Sequence, residues 1–247
     1  VIITGKDLDV RELPICYHSD GDPNPMMTCM NWVKDPDTGR YNVTNAMTTL
    51  TGPDTGFSLF VSRDSSAIFK KYQAMGIDEV PIAYVAGLPP AYEIMGNYAG
   101  IHMDSWGETD MFGTIMDQDV EMVPCETIDL TVPAEAEIVV EGLLQLGQTD
   151  VMDCGPNPQM YGIPAKVPQP IVKFTAITMR KERPIYRNHQ TTPDTDHQTL
   201  PRLCHEAVLY NRLTEIGAPS MTCASPPGAA PWPALSRSKR RGRVSST

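Results

Sequence analysis

Over the first sixty residues, apolar positions come in short runs separated by turn clusters. Val1–Thr4, Met26–Val33, Tyr41–Leu50 and Phe57–Ser62 read as strands. Asp20-Gly21-Asp22-Pro23 and Asp35-Pro36-Asp37-Thr38-Gly39 supply the turns between them. The period then lengthens. Across Ser65–Met75, the residues Ile68, Phe69, Tyr72 and Met75 fall at helical spacing with Lys70 and Lys71 outward, and Gly76 follows as a stop. Pro81–Ala86 is a compact apolar strand. Pro89–Gly96 is a short helix opened by two prolines.

The second half is less regular. Residues 97–118 read as a loop holding a short helix, and Glu121–Cys125 and Ile128–Leu130 as strands. In Pro133–Gln145 the run Ala134-Glu135-Ala136-Glu137 favours helix, but the β-branched Ile138-Val139-Val140 tips the segment to strand. Thr149–Pro170 carries five Pro and two Gly and reads as a long loop, a length that points to function. Ile171–Arg180 is the clearest strand, with Val172, Phe174 and Ala176 on one face. Ile185–Tyr186 adds a short strand, and Leu203–Leu213 a helix. Together these elements predict an α+β fold: a β-rich, barrel-like body with a few helices at its edges.

Charge narrows the function classes. The chain has 247 residues and a formal net charge of −10, which argues against a nucleic-acid binder. Residues 217–247 contain no acid and five bases, so residues 1–216 hold 30 acids against 15 bases, a net of −15. No apolar run reaches the roughly 18 residues of a membrane helix. Val1–Ile3 does not read as the core of a signal peptide, and a cytoplasmic location is expected. The six Cys include no C-x-x-C pair, so neither a zinc ribbon nor a thioredoxin motif is present. There is no Gly-rich phosphate loop, no G-x-S-x-G elbow and no H-E-x-x-H.

One stretch carries more. Glu121-Met122-Val123-Pro124-Cys125-Glu126-Thr127-Ile128-Asp129-Leu130-Thr131-Val132-Pro133-Ala134-Glu135-Ala136-Glu137-Ile138-Val139-Val140-Glu141-Gly142 closely resembles the signature of the UbiD-type decarboxylases, the 3-polyprenyl-4-hydroxybenzoate and ferulic acid decarboxylase family. Asp35–Asn42, the Lys71–Gly76 helix end and Pro81–Pro90 agree with it in order upstream. Met160-Tyr161-Gly162 and Ala176–Arg180 agree downstream.

The resemblance implies a split β-barrel like that of flavin reductases over residues 1–184, with 185–216 starting a C-terminal α/β domain. It implies prenylated FMN held through its phosphate by Mn²⁺ (or Mg²⁺) and K⁺, and a flavin prenyltransferase as supplier. The expected reaction is non-oxidative decarboxylation, or the reverse carboxylation, of an aromatic or α,β-unsaturated carboxylic acid. A homo-oligomer, or a heteromer, is expected of the full-length protein.

Carried over residue by residue, the family's metal triad falls on Asn42, Asp64 and Glu121, an all-oxygen set suited to a hard cation. Asp64 also reads as a helix N-cap before Ser65. The run Asn42, Val43, Thr44, Asn45, Ala46 and Met47, with Arg63, Asp64 and Glu121, is expected to hold the cofactor. Three positions depart from the family. Met47 stands where an Arg would clamp the substrate carboxylate; it cannot make that contact and reads as barrel core. Cys154 and Gln159 replace the two glutamates of the catalytic loop. Gln cannot act as a general acid, while a thiol can titrate. Asp150 and Asp153 lie nearby.

These departures keep two further readings open. One is a catalytically inactive or accessory subunit of a heteromeric carboxylase. The other is a flavin-binding barrel with reductase chemistry. The Ala-, Pro-, Ser- and Arg-rich 217–247 reads as an out-of-frame translation or a disordered tail.

Overall fold

The computed structural model describes residues 1–17, 20–60, 63–96, 107–153, 166–182, 184, 196–217, 221–224 and 234–237. Its strands are β1 (Ile2–Thr4), β2 (Met26–Lys34), β3 (Tyr41–Leu50), β4 (Thr55–Leu59), β5 (Glu79–Ala86), β6 (Met122–Pro124), β7 (Thr131–Pro133), β8 (Ile138–Asp153), β9 (Lys166–Met179), β10 (Met221–Ala224) and β11 (Ala234–Arg237). Its helices are α1 (Arg63–Ala74), α2 (Pro90–Gly96), α3 (Glu108–Met116) and α4 (Asp196–Glu215).

Six strands close a ring. The hydrogen-bonded order runs β9-β4-β3-β2-β5-β8 and returns from β8 to β9, with β1 added on β9; every pair is antiparallel. This is the split barrel expected from the sequence.

Strand alternation divides the apolar residues between two cores. Met27, Cys29 and Val33 of β2 join Ile82 and Tyr84 of β5, Val140 and Leu144 of β8, and Val172 and Phe174 of β9 inside the ring. The intervening Met30 and Trp32 pack outside with Val85, Val139, Tyr92 and Phe112, under α2 and α3. Ring contacts mark both cores: Tyr84 meets Phe174 edge-on at 5.8 Å, and Tyr92 meets Phe112 at 4.5 Å. Helix α1 lays Ile68 and Phe69 onto the interior cluster, where Phe69 stands edge-on to Phe60 at 4.8 Å. Gly56 is required by close approach, because a Cβ there would lie 2.7 Å from the Thr49 carbonyl oxygen and 3.2 Å from the Phe174 ring.

Several boundaries differ from the sequence reading. The long loop is shorter than expected: Thr149–Asp153 and Lys166–Pro170 pair as the outer arm of the β8–β9 hairpin, beyond an irregularity at Gln145/Thr149. Pro168 and Pro170 hid this arm, since proline is tolerated only where a strand needs no ladder donor. The strand expected at Ile128–Leu130 is instead β7, which pairs with β6. Residues 126–130 form a loop whose backbone is held by Glu141. That buried carboxylate accepts from the Glu126 and Thr127 N–H groups at 2.8 and 2.7 Å and from the Thr127 hydroxyl at 2.6 Å. The helix expected at Leu203–Leu213 begins earlier, at Asp196. Within the tail, β10 and β11 pair antiparallel. The expected strand at Ile185–Tyr186 lies outside the described residues. No described helix is long and apolar enough to cross a membrane.

Candidate functional site

The β2–β3 connection is a tight turn. The Asp35 N–H donates to the Arg40 carbonyl at 2.7 Å, and the Gly39 N–H to the Asp35 carbonyl at 2.8 Å. Gly39 is left-handed, at φ 70°. The turn delivers β3 with Asn42 near its start. Strand β4 is short, and the last β3–β4 pair is Met47 with Leu59. Residues 42–46 therefore run past the end of β4 and leave an open edge of β3. On that edge the Val43 N–H donates to Glu108 Oε2 at 3.3 Å.

A cavity of about 240 Å³ lies where this edge meets α1 and α3. Asn42 comes from β3, Asp64 from the start of α1 and Glu108 from the start of α3, with Arg40, Tyr41 and Lys71 completing much of the lining. Asn42 and Glu108 are buried. The Asn42 Nδ2 donates to the Ser65 hydroxyl at 3.0 Å, which leaves the amide oxygen as the remaining acceptor of that side chain. Lys71 bridges Asp35 at 2.7 Å and Asp37 at 3.1 Å. Burial pushes the Asp35 carboxyl up, but the Lys71 ammonium and the turn's N–H groups outweigh it and hold the group below its ordinary value. The two aspartates raise Lys71 in turn.

The expected site residues divide. Asn42 and Asp64 are brought to one cavity. Glu121 does not line it; the residue stands exposed before β6, with its carbonyl accepting from the Ala134 N–H at 2.9 Å. The carboxylate set beside Asn42 is Glu108 instead, and Ser65 is a further partner that sequence reading passed over. Val43 packs into the outer core, and Thr44 and Asn45 continue the open edge half-buried. Ala46 lies opposite Cys29 in register, and Arg63 opens α1. Met47 is buried against Met26, Leu59 and Phe57. Cys154 and Gln159 lie outside the described residues; Asp150 is exposed on β8.

Two other thiols lie in surroundings unsuited to chemistry. Burial raises Cys29, and burial followed by the Glu141 and Glu126 charges pushes Cys125 up to about 12. A larger depression of about 980 Å³ beside α3 is lined by the exposed Asp110, Asp117 and Asp119, where no buried polar groups converge.

The donor set fits a hard divalent cation: one amide oxygen and two carboxylates from three elements, one of the carboxylates buried. Among the described residues no cluster of three or more His, Cys, Asp and Glu side chains forms that could hold a metal ion.

The comparisons with known proteins agree with this architecture. The UbiD family model, described as the 3-octaprenyl-4-hydroxybenzoate carboxy-lyase Rift-related domain, matches residues 1–193. The chain belongs to the UbiD family. Anhydromevalonate phosphate decarboxylase of Methanothermobacter thermautotrophicus is 31% identical over 140 residues, 56% of this chain and 32% of that protein. An uncharacterised protein of Archaeoglobus fulgidus is 32% identical over 155 residues, 62% of this chain and 31% of that one.

Among solved structures, an evolved dimeric form of the UbiD-class enzyme HmfF from Pelotomaculum thermopropionicum, in complex with prFMN, superposes with a TM-score of 0.83. Its identity is 28%, and the match covers 98% of this chain and 56% of that one. The 3,4-dihydroxybenzoic acid decarboxylase AroY of Klebsiella pneumoniae gives 0.74 at 25% identity, over 87% of this chain and 46% of that one. The chain thus spans about a third of the length of these curated relatives and about half of the solved neighbours.

Proposed function

We propose that this UbiD-family chain is the cofactor-holding barrel of a prenylated-FMN-dependent carboxy-lyase acting on an aromatic or α,β-unsaturated carboxylic acid. The observation that carries this reading is the convergence of Asn42, Asp64 and Glu108 beside the open edge of β3. In place of Glu121, Glu108 joins Asn42 and Asp64 as the third oxygen donor. These residues would hold Mn²⁺ or Mg²⁺, with K⁺ nearby, and the cation would bind the phosphate of the flavin. Bound there, prenylated FMN supplies an electron sink for the loss of CO₂.

The chain's own residues do the rest. The 42–46 edge is left open beyond β4, where it can orient a planar ring. Met47 and its apolar neighbours exclude water and make no ionic contact to a carboxylate. Of the two substituted loop positions, only Cys154 carries a group able to donate a proton; the Gln159 amide can position one. Cytoplasmic location, homo- or heteromeric assembly and supply by a flavin prenyltransferase belong to this same reading.

The apolar packing of Met47 favours a second reading, a cofactor-holding accessory subunit without turnover. Co-expression with a flavin prenyltransferase separates the two. Bound modified flavin with substrate-dependent CO₂ release supports the enzyme. Bound flavin without release, and without deuterium exchange into a panel of unsaturated acids, supports the subunit. Absence of bound flavin rejects both.

A further inference from the structure

Helix α1 is fastened to the β2–β3 hairpin at two places. Near its start, Ser65 accepts the Asn42 Nδ2–H at 3.0 Å. Further along, Lys71 Nζ lies 2.7 Å from Asp35 Oδ2 and 3.1 Å from Asp37 Oδ2, and the adjacent Tyr72 hydroxyl donates to the Lys34 carbonyl at 2.9 Å. At about 1.5 Å of rise per residue, the two fastenings are roughly 9 Å apart along the helix.

Asp35 serves both sides of this joint. Its Oδ1 accepts the Asp37 N–H at 2.9 Å and shapes the turn, while its Oδ2 takes the lysine. The joint is partly sheltered, with side-chain exposure of 17% for Asp35 and 36% for Lys71. Asp64 enters the cavity from α1, Asn42 from β3 and Glu108 from α3, so the seating of α1 sets the width across which the three donors meet.

We propose that Lys71 is a positioning residue for the cation site, tying α1 to Asp35 and Asp37 so that Asp64 stays within reach of the cation held by Asn42 and Glu108. The inference rests on the cation reading above. It makes a prediction opposite in sign to simple electrostatics. Lys71 lines the cavity, so removing its positive charge and freeing two aspartates would tighten a divalent cation by Coulomb attraction alone. Loss of position weakens it.

The test is titration of the 247-residue chain with Mn²⁺ alone, following free Mn²⁺ by electron paramagnetic resonance, with melting curves recorded in parallel. Lys71→Met should bind Mn²⁺ about tenfold more weakly than the unaltered chain, the scale typical of groups that orient ligands. Lys71→Arg, which keeps the charge and can still bridge both aspartates, should recover most of the affinity. The melting temperature should fall only slightly in both.

Unchanged or tighter binding by Lys71→Met overturns the proposal, and so does a Lys71→Arg variant as weak as Lys71→Met. If Lys71→Met melts too low to titrate, the double variant Asp35→Asn, Asp37→Asn removes both ion pairs from the other side and must also bind Mn²⁺ more weakly. An unaltered chain that takes up no Mn²⁺ overturns the cation reading itself, which distinguishes that failure from a failure of Lys71.

Discussion

Inside the barrel, Thr48, Ser58 and Tyr84 form a chain of hydroxyls. Thr48 and Ser58 are 2.9 Å apart, Ser58 continues to the Tyr84 hydroxyl, and all three are buried. At the seam between α1, β3 and α3, the polar groups line a common space. One region spends its hydrogen-bonding capacity on itself and serves stability. The other gathers the Asn42 amide and the Asp64 and Glu108 carboxylates, with Arg40 and Lys71, around a cavity. Substitutions in the two regions should therefore separate into different readouts.

The largest effect is expected in the interior. Phe174 is buried, stands edge-on to Tyr84 and covers Gly56. Phe174→Ala should cost about 3–5 kcal/mol in a urea titration, through lost transfer energy and an unfilled cavity. A cost under about 1 kcal/mol would show that Phe174 does not fill a tightly packed interior. Glu108→Gln acts in the other direction. It keeps the shape and removes one carboxylate from the cavity lining, so stability should hold while Mn²⁺ affinity falls about 10- to 100-fold. A variant that melts early and binds normally would move Glu108 from the site to the scaffold. Ser58→Ala is the smaller interior test. It takes one hydroxyl from the cluster, leaves Thr48 and Tyr84 with one partner fewer each, and should cost about 1 kcal/mol with Mn²⁺ affinity unaltered.

The interior was the more legible region because alternation is a local signal. Met27, Cys29 and Val33 against Met30 and Trp32 can be read directly off β2. The family signature added the closed topology. The seam is assembled from three distant segments, and only Asn42 and Asp64 could be anticipated there. The short helix within 97–118 is anticipated by the sequence, but nothing local marks its first residue, Glu108, as lining a cavity. Glu121 drew attention by its place at the head of the signature, but the fold leaves it exposed. Ser65 reads in the sequence as an ordinary helix-start residue, and only the fold brings the Asn42 amide to its hydroxyl. The β8–β9 arm was hidden by the same prolines that mark loops elsewhere.

The joint that fastens α1 should leave a trace in pH dependence, the smallest of these effects. Asp35 ionises below its ordinary value of 3.8 in the folded chain, after burial is outweighed by Lys71 and the turn. Its contribution to stability is thus fully present above that value and is lost as pH falls through the lower folded value. Lys71 is raised above 10.5 by the two aspartates, so its contribution is present below 10.5 and is lost as pH rises through the folded value. The difference in melting temperature between the unaltered chain and Lys71→Met should therefore stay flat between about pH 5 and pH 9.5 and shrink on either side. Comparing the two chains at each pH cancels the titration of groups they share. A difference that instead changes steadily across the neutral range would place another titrating group against Lys71, and the joint would then no longer be an aspartate–lysine contact alone.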